Sequence, residues 1–275
     1  MRRRLLILVL AALLPLIALS GSMIWLNLRQ QQSAMRADAI HRVVEIIERV
    51  DRELLVQMEM LAMLSQSPAL DAPLLDLDRF HVLAGRFERE LTQWRSVTLL
   101  DAEARPLLRT AVPMGGALPD PRDRDTVLQV ARSTTPAVSP IVFFDAGGAD
   151  PQVTLHAPVL RDGAVRFVLS ADIALDPLLS RSAPITFPDP AWRPFLVDAA
   201  DRIVLSPRSP DAVGRLAGDR ARGARASGHQ GVYEGRTGEG EPVITAFRKS
   251  DLTGWSAHLS IPLPVFNAPL RRSIG

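Results

Sequence analysis

The residue types that could support catalysis or metal binding are few in this sequence and scattered along it. No HExxH motif occurs, and no two histidines have the spacing of a metal site. Cysteine is absent, which excludes disulfides, zinc fingers and thiol catalysis. The sequence also lacks a GxSxG elbow, a Walker loop and a GxGxxG motif. We therefore expect no metal, no cofactor and no enzymatic activity in this chain. The five histidines are His41, His81, His156, His229 and His258.

Two arrangements superficially resemble catalytic sites. An Asp–His–Ser triad can be drawn from Asp172, His156 and Ser139 on neighbouring predicted strands, but strand-rich domains offer such triples by chance. His41 and Arg42 resemble the phospho-acceptor box of a kinase, yet they follow a predicted membrane segment on its outer side, where no ATP is available. The sequence therefore favours ligand binding over catalysis.

The first 28 residues read as a membrane anchor. Residues 5–26 carry no charge, and a helix of that length covers ~33 Å, enough to cross the ~30 Å core of a bilayer. Arg2, Arg3 and Arg4 precede this segment, which predicts a cytoplasmic N-terminus and an extracytoplasmic location for the bulk of the chain. The alternative is a cleaved signal peptide, which would make the chain a secreted binding protein.

Residues 29–67 are predicted to form one long helix, because they contain neither Pro nor Gly. Apolar residues recur in it at alternating steps of three and four. This seam either packs on the helix's own domain or forms a homodimer contact through residues 40–64. A second apolar face at Val44, Leu55, Met58 and Ala62 allows both. The seam consists of Ile40, Val43, Ile47, Val50, Leu54, Leu61 and Leu64, and only Gln57 interrupts it.

A repeated pattern organises the remaining chain. The segments VTLLDAEARPLLRT around Asp101 and PFLVDAADRIVLSP around Asp198 both read as a strand, a polar turn and a second strand. Each predicted hairpin precedes a Pro/Gly/Arg-rich stretch, residues 111–135 and 206–228, and then three strand-like segments. The fold class is therefore predicted to be α+β, with two tandem modules, residues 68–180 and 181–267. Each module should contain a five-stranded antiparallel sheet, within residues 95–173 and 193–262, with a cap on one face.

These features together resemble a known family. The membrane helix, the long helix, the two hairpins and the segments PVLRDGAVRFVLSADIALDPLL and GWSAHLSIPLPVFNAPL are similar to the double Cache (tandem PAS-like) sensor region of bacterial receptors, especially alphaproteobacterial sensor histidine kinases. The resemblance implies a sensor that is anchored in the bacterial inner membrane, lies mainly in the periplasm and feeds a two-component histidine kinase. Chemotaxis transducers and cyclic-dinucleotide enzymes use the same input and are the alternative outputs. It also implies a second membrane helix, to which residues 268–275 would lead, and we expect the chain to be the sensory part of a longer receptor.

The resemblance further implies a ligand site in the membrane-distal module, between the sheet and the cap. Asp172 matches the family's aspartate that contacts a ligand amino group, and Arg122 or Arg124 lies near its carboxylate-binding arginine. The aromatic residues that accompany this arginine are replaced here by residues 125–127, which counts against an amino acid ligand. Arg109, Ser139 and His156 complete the predicted polar set, and the rest of the wall is expected to be aliphatic. The expected partners are a small molecule and the membrane, with no nucleic acid, because no basic stripe with interleaved aromatic residues occurs.

Overall fold

A single long helix, α1 (Arg2–Ser65), runs through the N-terminal part of the chain. The computed structural model describes residues 2–71, 75–143, 151–175 and 189–268, and within α1 it describes the side chains of Met23, Leu26 and the residues from Arg29 onward. Across the described residues, no helix is both long and apolar enough to cross a bilayer. Most side chains of the predicted anchor at residues 5–26 lie outside the described set, so the anchor stays a prediction.

The helix ends where the sequence predicts. A 3-10 turn, Pro68–Leu70, follows α1, and the Ser67 hydroxyl accepts a hydrogen bond from the amide of Ala69. Arg161, from the distal sheet, donates to the carbonyls of Ser65 and Ser67. These bonds satisfy backbone groups that a helix terminus leaves without intrahelical partners.

The distal module contains an antiparallel sheet with strand order β2-β1-β6-β5-β3, and β4 also pairs with β5. Helix α2 packs beside β1, and α3 belongs to the stretch that follows β2. The elements are α2 (Leu77–Glu90), β1 (Trp94–Asp101), β2 (Pro106–Arg109), α3 (Arg124–Ser133), β3 (Ala137–Val138), β4 (Val142–Phe143), β5 (Pro151–Arg161) and β6 (Ala164–Ala174).

The proximal module repeats this plan with strand order β8-β7-β11-β10-β9. A 3-10 turn, Pro210–Ala212, and helix α4 (Asp219–Ser227) occupy the stretch after β8. The strands are β7 (Arg193–Val197), β8 (Ile203–Leu205), β9 (Gln230–Arg236), β10 (Pro242–Lys249) and β11 (Ser256–Pro262), and a short helix α5 (Leu263–Phe266) follows. The prediction of two antiparallel sheets is therefore confirmed. The predicted boundary between the modules, at residues 180 and 181, lies outside the described residues, as do residues 269–275.

Both predicted hairpins form, and their turns are built alike. One carboxylate oxygen of Asp101 accepts hydrogen bonds from the amides of Glu103 and Arg105. Asp198 accepts from the amides of Ala200 and Arg202 in the same way. An Asp at this position therefore closes the turn by binding its own backbone.

Helix α1 packs on both sheets, which confirms the first of the two interpretations of its apolar seam. A homodimer contact through residues 40–64, which the second apolar face of α1 would provide, stays a prediction. The apolar residues at steps of three and four contribute to the chain's own core, so they are not available to a partner. Gln57, the interruption, is buried as well, and its side-chain carbonyl accepts a hydrogen bond from the Trp94 indole at 2.8 Å. The periodicity correctly identified a buried face of α1, but that face covers the two sheets. The buried seam residues are Val43, Ile47, Val50, Leu54, Leu61 and Leu64.

Candidate functional site

The two faces of the distal sheet have different chemistry. Because side chains alternate along a strand, β1, β5 and β6 place Leu99, Leu155 and Leu169 in the core that α1 completes. The same strands place polar residues on the opposite face, toward residues 111–135, which we call the distal cap. A buried polar sheet face beneath a cap is the setting that the sequence predicted for a ligand site.

Strand register aligns these polar residues in two rows. In the first row, Thr98 is opposite Arg109 on one side and Ser170 on the other, and Ser170 is opposite His156. In the second row, Asp172 lies between Ser96 and Thr154. Two adjacent rows across four strands bring donors and acceptors from distant parts of the sequence to one surface.

A cavity of about 240 Å³ lies between this surface and the distal cap. The cap contributes residues 119–123, and β4 contributes Val142. Leu100, Val142 and two prolines form its apolar part, so the wall is only partly aliphatic, in contrast to the expectation. The described residues that line it are Thr98, Leu100, Arg109, Pro119, Asp120, Pro121, Arg122, Asp123, Val142, Thr154, His156, Ser170 and Asp172.

Asp172 is the electrostatic centre of the site. One carboxylate oxygen accepts hydrogen bonds from the Ser96 hydroxyl at 2.6 Å and from the Arg109 guanidinium at 2.8 Å. The other oxygen accepts from the Thr154 hydroxyl at 2.8 Å. Only 6% of Asp172 is exposed, and a carboxylate at such depth requires a paired charge and hydrogen bonds. Arg109 supplies the charge, while the two hydroxyls fix the orientation of the carboxylate.

His156 connects the sheet to the cap. Its Nδ1 lies 2.7 Å from the Ser170 hydroxyl, and its Nε2 lies 2.5 Å from a carboxylate oxygen of Asp123. Because a carboxylate only accepts, Nε2 donates to Asp123, and Nδ1 shares a hydrogen bond with the Ser170 hydroxyl. Asp123 directly precedes α3, where its side chain makes no helix-capping hydrogen bond. The His156–Asp123 contact therefore holds the N-terminal end of the cap helix against the sheet.

Four of the six predicted site residues come together in the cavity lining: Arg109, Arg122, His156 and Asp172. Ser139 lies outside it, because its hydroxyl donates to the Pro140 carbonyl and accepts from the Thr154 amide. Arg124 also lies outside it and donates to the carbonyls of Glu103 and Ala104 in the first hairpin turn. The triad drawn from Asp172, His156 and Ser139 does not form, since His156 contacts Ser170 and Asp123 instead.

Sequence reasoning missed Asp123 and the hydroxyl residues of the rows. Thr154 precedes His156 by two positions, and Ser170 precedes Asp172 by two positions, so period-two polarity could have identified both hydroxyls. Asp123 carries no such signal, because its position depends on how the cap folds over the sheet.

The architecture has counterparts among solved structures. The ligand-binding domain of the Pseudomonas aeruginosa PAO1 amino acid chemoreceptor PctC, in complex with GABA, is 23% identical to this chain with a TM-score of 0.60, and the match covers 80% of this chain and 96% of that domain. The extracellular domain of a putative histidine kinase is 14% identical with a TM-score of 0.61, covering 86% and 96%. A domain of a putative sensory box/GGDEF family protein from Vibrio parahaemolyticus is 14% identical with a TM-score of 0.57, covering 86% and 99%.

At these identities the likeness establishes the fold. No protein-family model and no curated protein matches the sequence. Solved domains with this architecture come from a chemoreceptor, a putative histidine kinase and a putative GGDEF protein. The long helix, the two capped antiparallel sheets and these structural matches together show that the chain has the fold of the double Cache extracellular ligand-binding domains.

Proposed function

We propose that this chain is the extracytoplasmic sensor of a membrane receptor and that it binds a small polar molecule in the distal cavity. The observation that carries the proposal is the buried Asp172–Arg109 pair at the floor of a cavity that the cap closes. Ligand sites are concave and hold a few convergent polar groups, and buried charges concentrate at such sites. The chemoreceptor domain with this fold was solved with GABA, which supports a ligand of that size class.

The cavity chemistry favours a ligand with two polar ends. Asp172 and its hydroxyl neighbours offer an acceptor at the floor, and Arg122 in the cap offers a donor on the opposite side. A volume of about 240 Å³ is slightly below the ~300–1,000 Å³ of typical drug-sized sites. Small organic acids, amines and amino acids form the ligand class, and a ligand ammonium group has to share Asp172 with Arg109.

Ligand binding and closure of the distal cap are thermodynamically linked, and this linkage can produce a signal. A ligand that touches both cap and sheet binds best when the cap is closed, so it shifts the population toward that packing. We propose that the resulting bias passes along α1 to an anchor at residues 5–26 in the bacterial inner membrane, with the sensor in the periplasm. A two-component histidine kinase is the proposed output, and a chemotaxis transducer or a cyclic-dinucleotide enzyme is the alternative.

Thermal unfolding of the full chain with a panel of these small molecules tests ligand binding. A ligand that binds only the folded state adds RT ln(1 + [L]/Kd), about 2.7 kcal/mol at a hundredfold excess over Kd, so the melting temperature rises. Arg122→Gln and Asp172→Asn should remove the rise. Arg132→Gln, on the exposed part of α3, should keep it. If both cavity variants respond like the wild type, the ligand binds elsewhere and the proposed site is wrong.

Mass spectrometry of the mature N-terminus tests the anchor. An intact N-terminus is expected for a membrane anchor. A terminus that begins after residue 21 would show that the segment is a cleaved signal peptide, and the chain would then be a secreted binding protein.

A further inference from the structure

The proximal module contains a second and larger cleft. It lies between the outward face of the proximal sheet and residues 206–228, which we call the proximal cap, and its volume is about 940 Å³. The cleft occupies the position in this module that the ligand cavity occupies in the distal module, because both modules share the same strand order and a cap after the second strand.

The floor of the cleft has no counterpart of the distal carboxylate. Ser260 is paired with Thr245 on one side and Arg193 on the other, which is the register position that Asp172 holds between Thr154 and Ser96. The hydroxyls of Thr245 and Ser260 lie 2.8 Å apart and bond each other. A ligand ammonium group therefore meets neutral hydroxyls here, where the distal cavity offers a carboxylate.

Positive charge dominates the rim. Five arginines and two carboxylates, Asp219 and Glu234, line the cleft, and Asp211, just outside the lining, pairs with Arg215 at 3.5 Å. Arg193 is neutralised by Glu239 and Glu241, whereas Arg236 donates to the carbonyl of Gly240. Among the residues that the structure describes, none accepts a hydrogen bond from Arg220 or pairs with it. The five arginines are Arg193, Arg208, Arg215, Arg220 and Arg236.

The walls of the cleft are apolar. Phe195, Ile203, Val243 and Leu263 line it, and so does Leu216, whose side chain is unusually exposed for a leucine, at 55%. Apolar walls beneath an excess of guanidinium groups suit a molecule with an apolar body and an anionic end, because arginine forms strong charge-assisted bonds with carboxylates.

We propose that the proximal cleft is a second ligand site, and that it takes an organic carboxylate with an apolar body. The carboxylate binds at Arg220 and Arg236, and the apolar body lies against Leu216 and Phe195. The two modules then bind ligands of different chemistry: a small polar molecule distally and an amphiphilic anion proximally.

Isothermal titration of the full chain in detergent with 2-naphthoate tests this site, with empty micelles as the blank. Saturable binding near one molecule per chain is expected. Acetate lacks the apolar body and loses its burial, whereas 2-naphthalenemethanol lacks the charge and loses a charge-assisted bond, so each should bind about tenfold more weakly or worse. The double variant Arg220→Gln, Arg236→Gln should weaken 2-naphthoate by about tenfold, for the same reason.

Arg132→Gln removes an exposed arginine from the distal cap helix and is the matched control, which should bind 2-naphthoate as the wild type does. The proposal is overturned if no saturable heat exceeds the micelle blank, or if the neutral alcohol binds as well as the carboxylate. It is also overturned if the double variant binds normally, or if Arg122→Gln abolishes binding, which would place the probe in the distal cavity. Loss of 2-naphthoate binding in the double variant alone leaves the distal proposal standing.

Discussion

At the scale of single residues, the ion pair between Asp172 and Arg109 connects stability to the proposed ligand site. Asp172→Ala would remove the carboxylate that pairs with the Arg109 guanidinium, which is only 19% exposed. Removing one member of a buried pair costs about 3–5 kcal/mol, and we expect about 2 kcal/mol here because Arg109 keeps some contact with water. Urea unfolding of the single variants Asp172→Ala and Arg109→Ala, and of the double variant that combines them, measures this contribution. The double variant should lose less than the sum of the single losses, and strict additivity would show that the pair contributes nothing.

The buried side chain of His258, in the proximal module, is expected to make the free energy of unfolding depend on pH. It is fully buried and stacked against Phe195, with ring centroids 4.5 Å apart. Burial, and then the positive charge of Arg225, lowers the pKa of His258 to about 3, whereas an unfolded histidine titrates near ~6.5. The unfolded chain therefore binds one more proton between these values, and stability falls as the pH drops from about 6.5 toward 3, by at most ~1.4 kcal/mol per pH unit.

Urea unfolding of the wild type and of His258→Gln between pH 7 and pH 4 isolates this contribution. The variant should show the shallower loss of stability on acidification. Equal slopes for the wild type and His258→Gln would mean that the buried ring does not titrate as its surroundings require.

Whether a site residue could be predicted from the sequence depends on the element that carries it. Asp172, Arg109 and His156 lie on strands, and the alternation of side chains along a strand assigns each of them to a face from the sequence alone. Asp123 and Arg122 lie in the cap, whose path over the sheet is not encoded in a local period. Arg122 was found through a family resemblance, and Asp123 was missed.

At the scale of elements, α1 illustrates what periodicity does and does not determine. Steps of three and four show that one face is buried, but they do not identify the surface that covers it. Two sheets supply that surface here, so Leu54 is fully buried while its neighbour Leu55 is 40% exposed. The hairpins were predicted better than the helix contact, because turn chemistry and strand alternation are local.

The two neighbours provide a matched test of this packing. Leu54→Asp should destabilise the fold by at least about 3 kcal/mol, since it removes a buried side chain and buries a charge. Leu55→Asp should change the free energy of unfolding by less than about 0.5 kcal/mol, as surface substitutions do. Circular dichroism during urea unfolding measures both. A stable, monomeric Leu54→Asp variant would restore the interpretation of this face as a dimer seam.

At the scale of the whole molecule, Asp198 links the modules. Its turn-closing carboxylate also accepts a hydrogen bond from the amide of Ile141 at 2.9 Å. Ile141 precedes Val142, which lines the distal cavity. The proximal hairpin is therefore bonded to the strand beside the proposed ligand, whereas Asp101, its counterpart in the distal hairpin, makes the corresponding bonds within its own turn.

Asp198→Ala and Asp101→Ala separate this link from the local role of the turn. Both variants lose a turn-closing carboxylate, but only Asp198→Ala also removes the bond between modules. We expect Asp198→Ala to cost about 1–3 kcal/mol more, because a buried amide loses its acceptor, and to split thermal unfolding into two transitions. Differential scanning calorimetry shows either result. Equal losses with a single transition in both variants would argue against coupling through Asp198.

The uninterrupted helix α1 has a further consequence for how a signal leaves the sensor. Each residue of an α-helix advances the azimuth by about 100° and the axis by ~1.5 Å, so helical phase and distance can be altered separately. One residue inserted between Leu26 and Ala39 would turn the N-terminal segment by about 100°, whereas seven residues would lengthen the helix by ~10 Å and return the phase to within ~20°. A receptor that transmits rotation would be disturbed by the first insertion and tolerate the second, and one that transmits axial displacement would not show this periodic response.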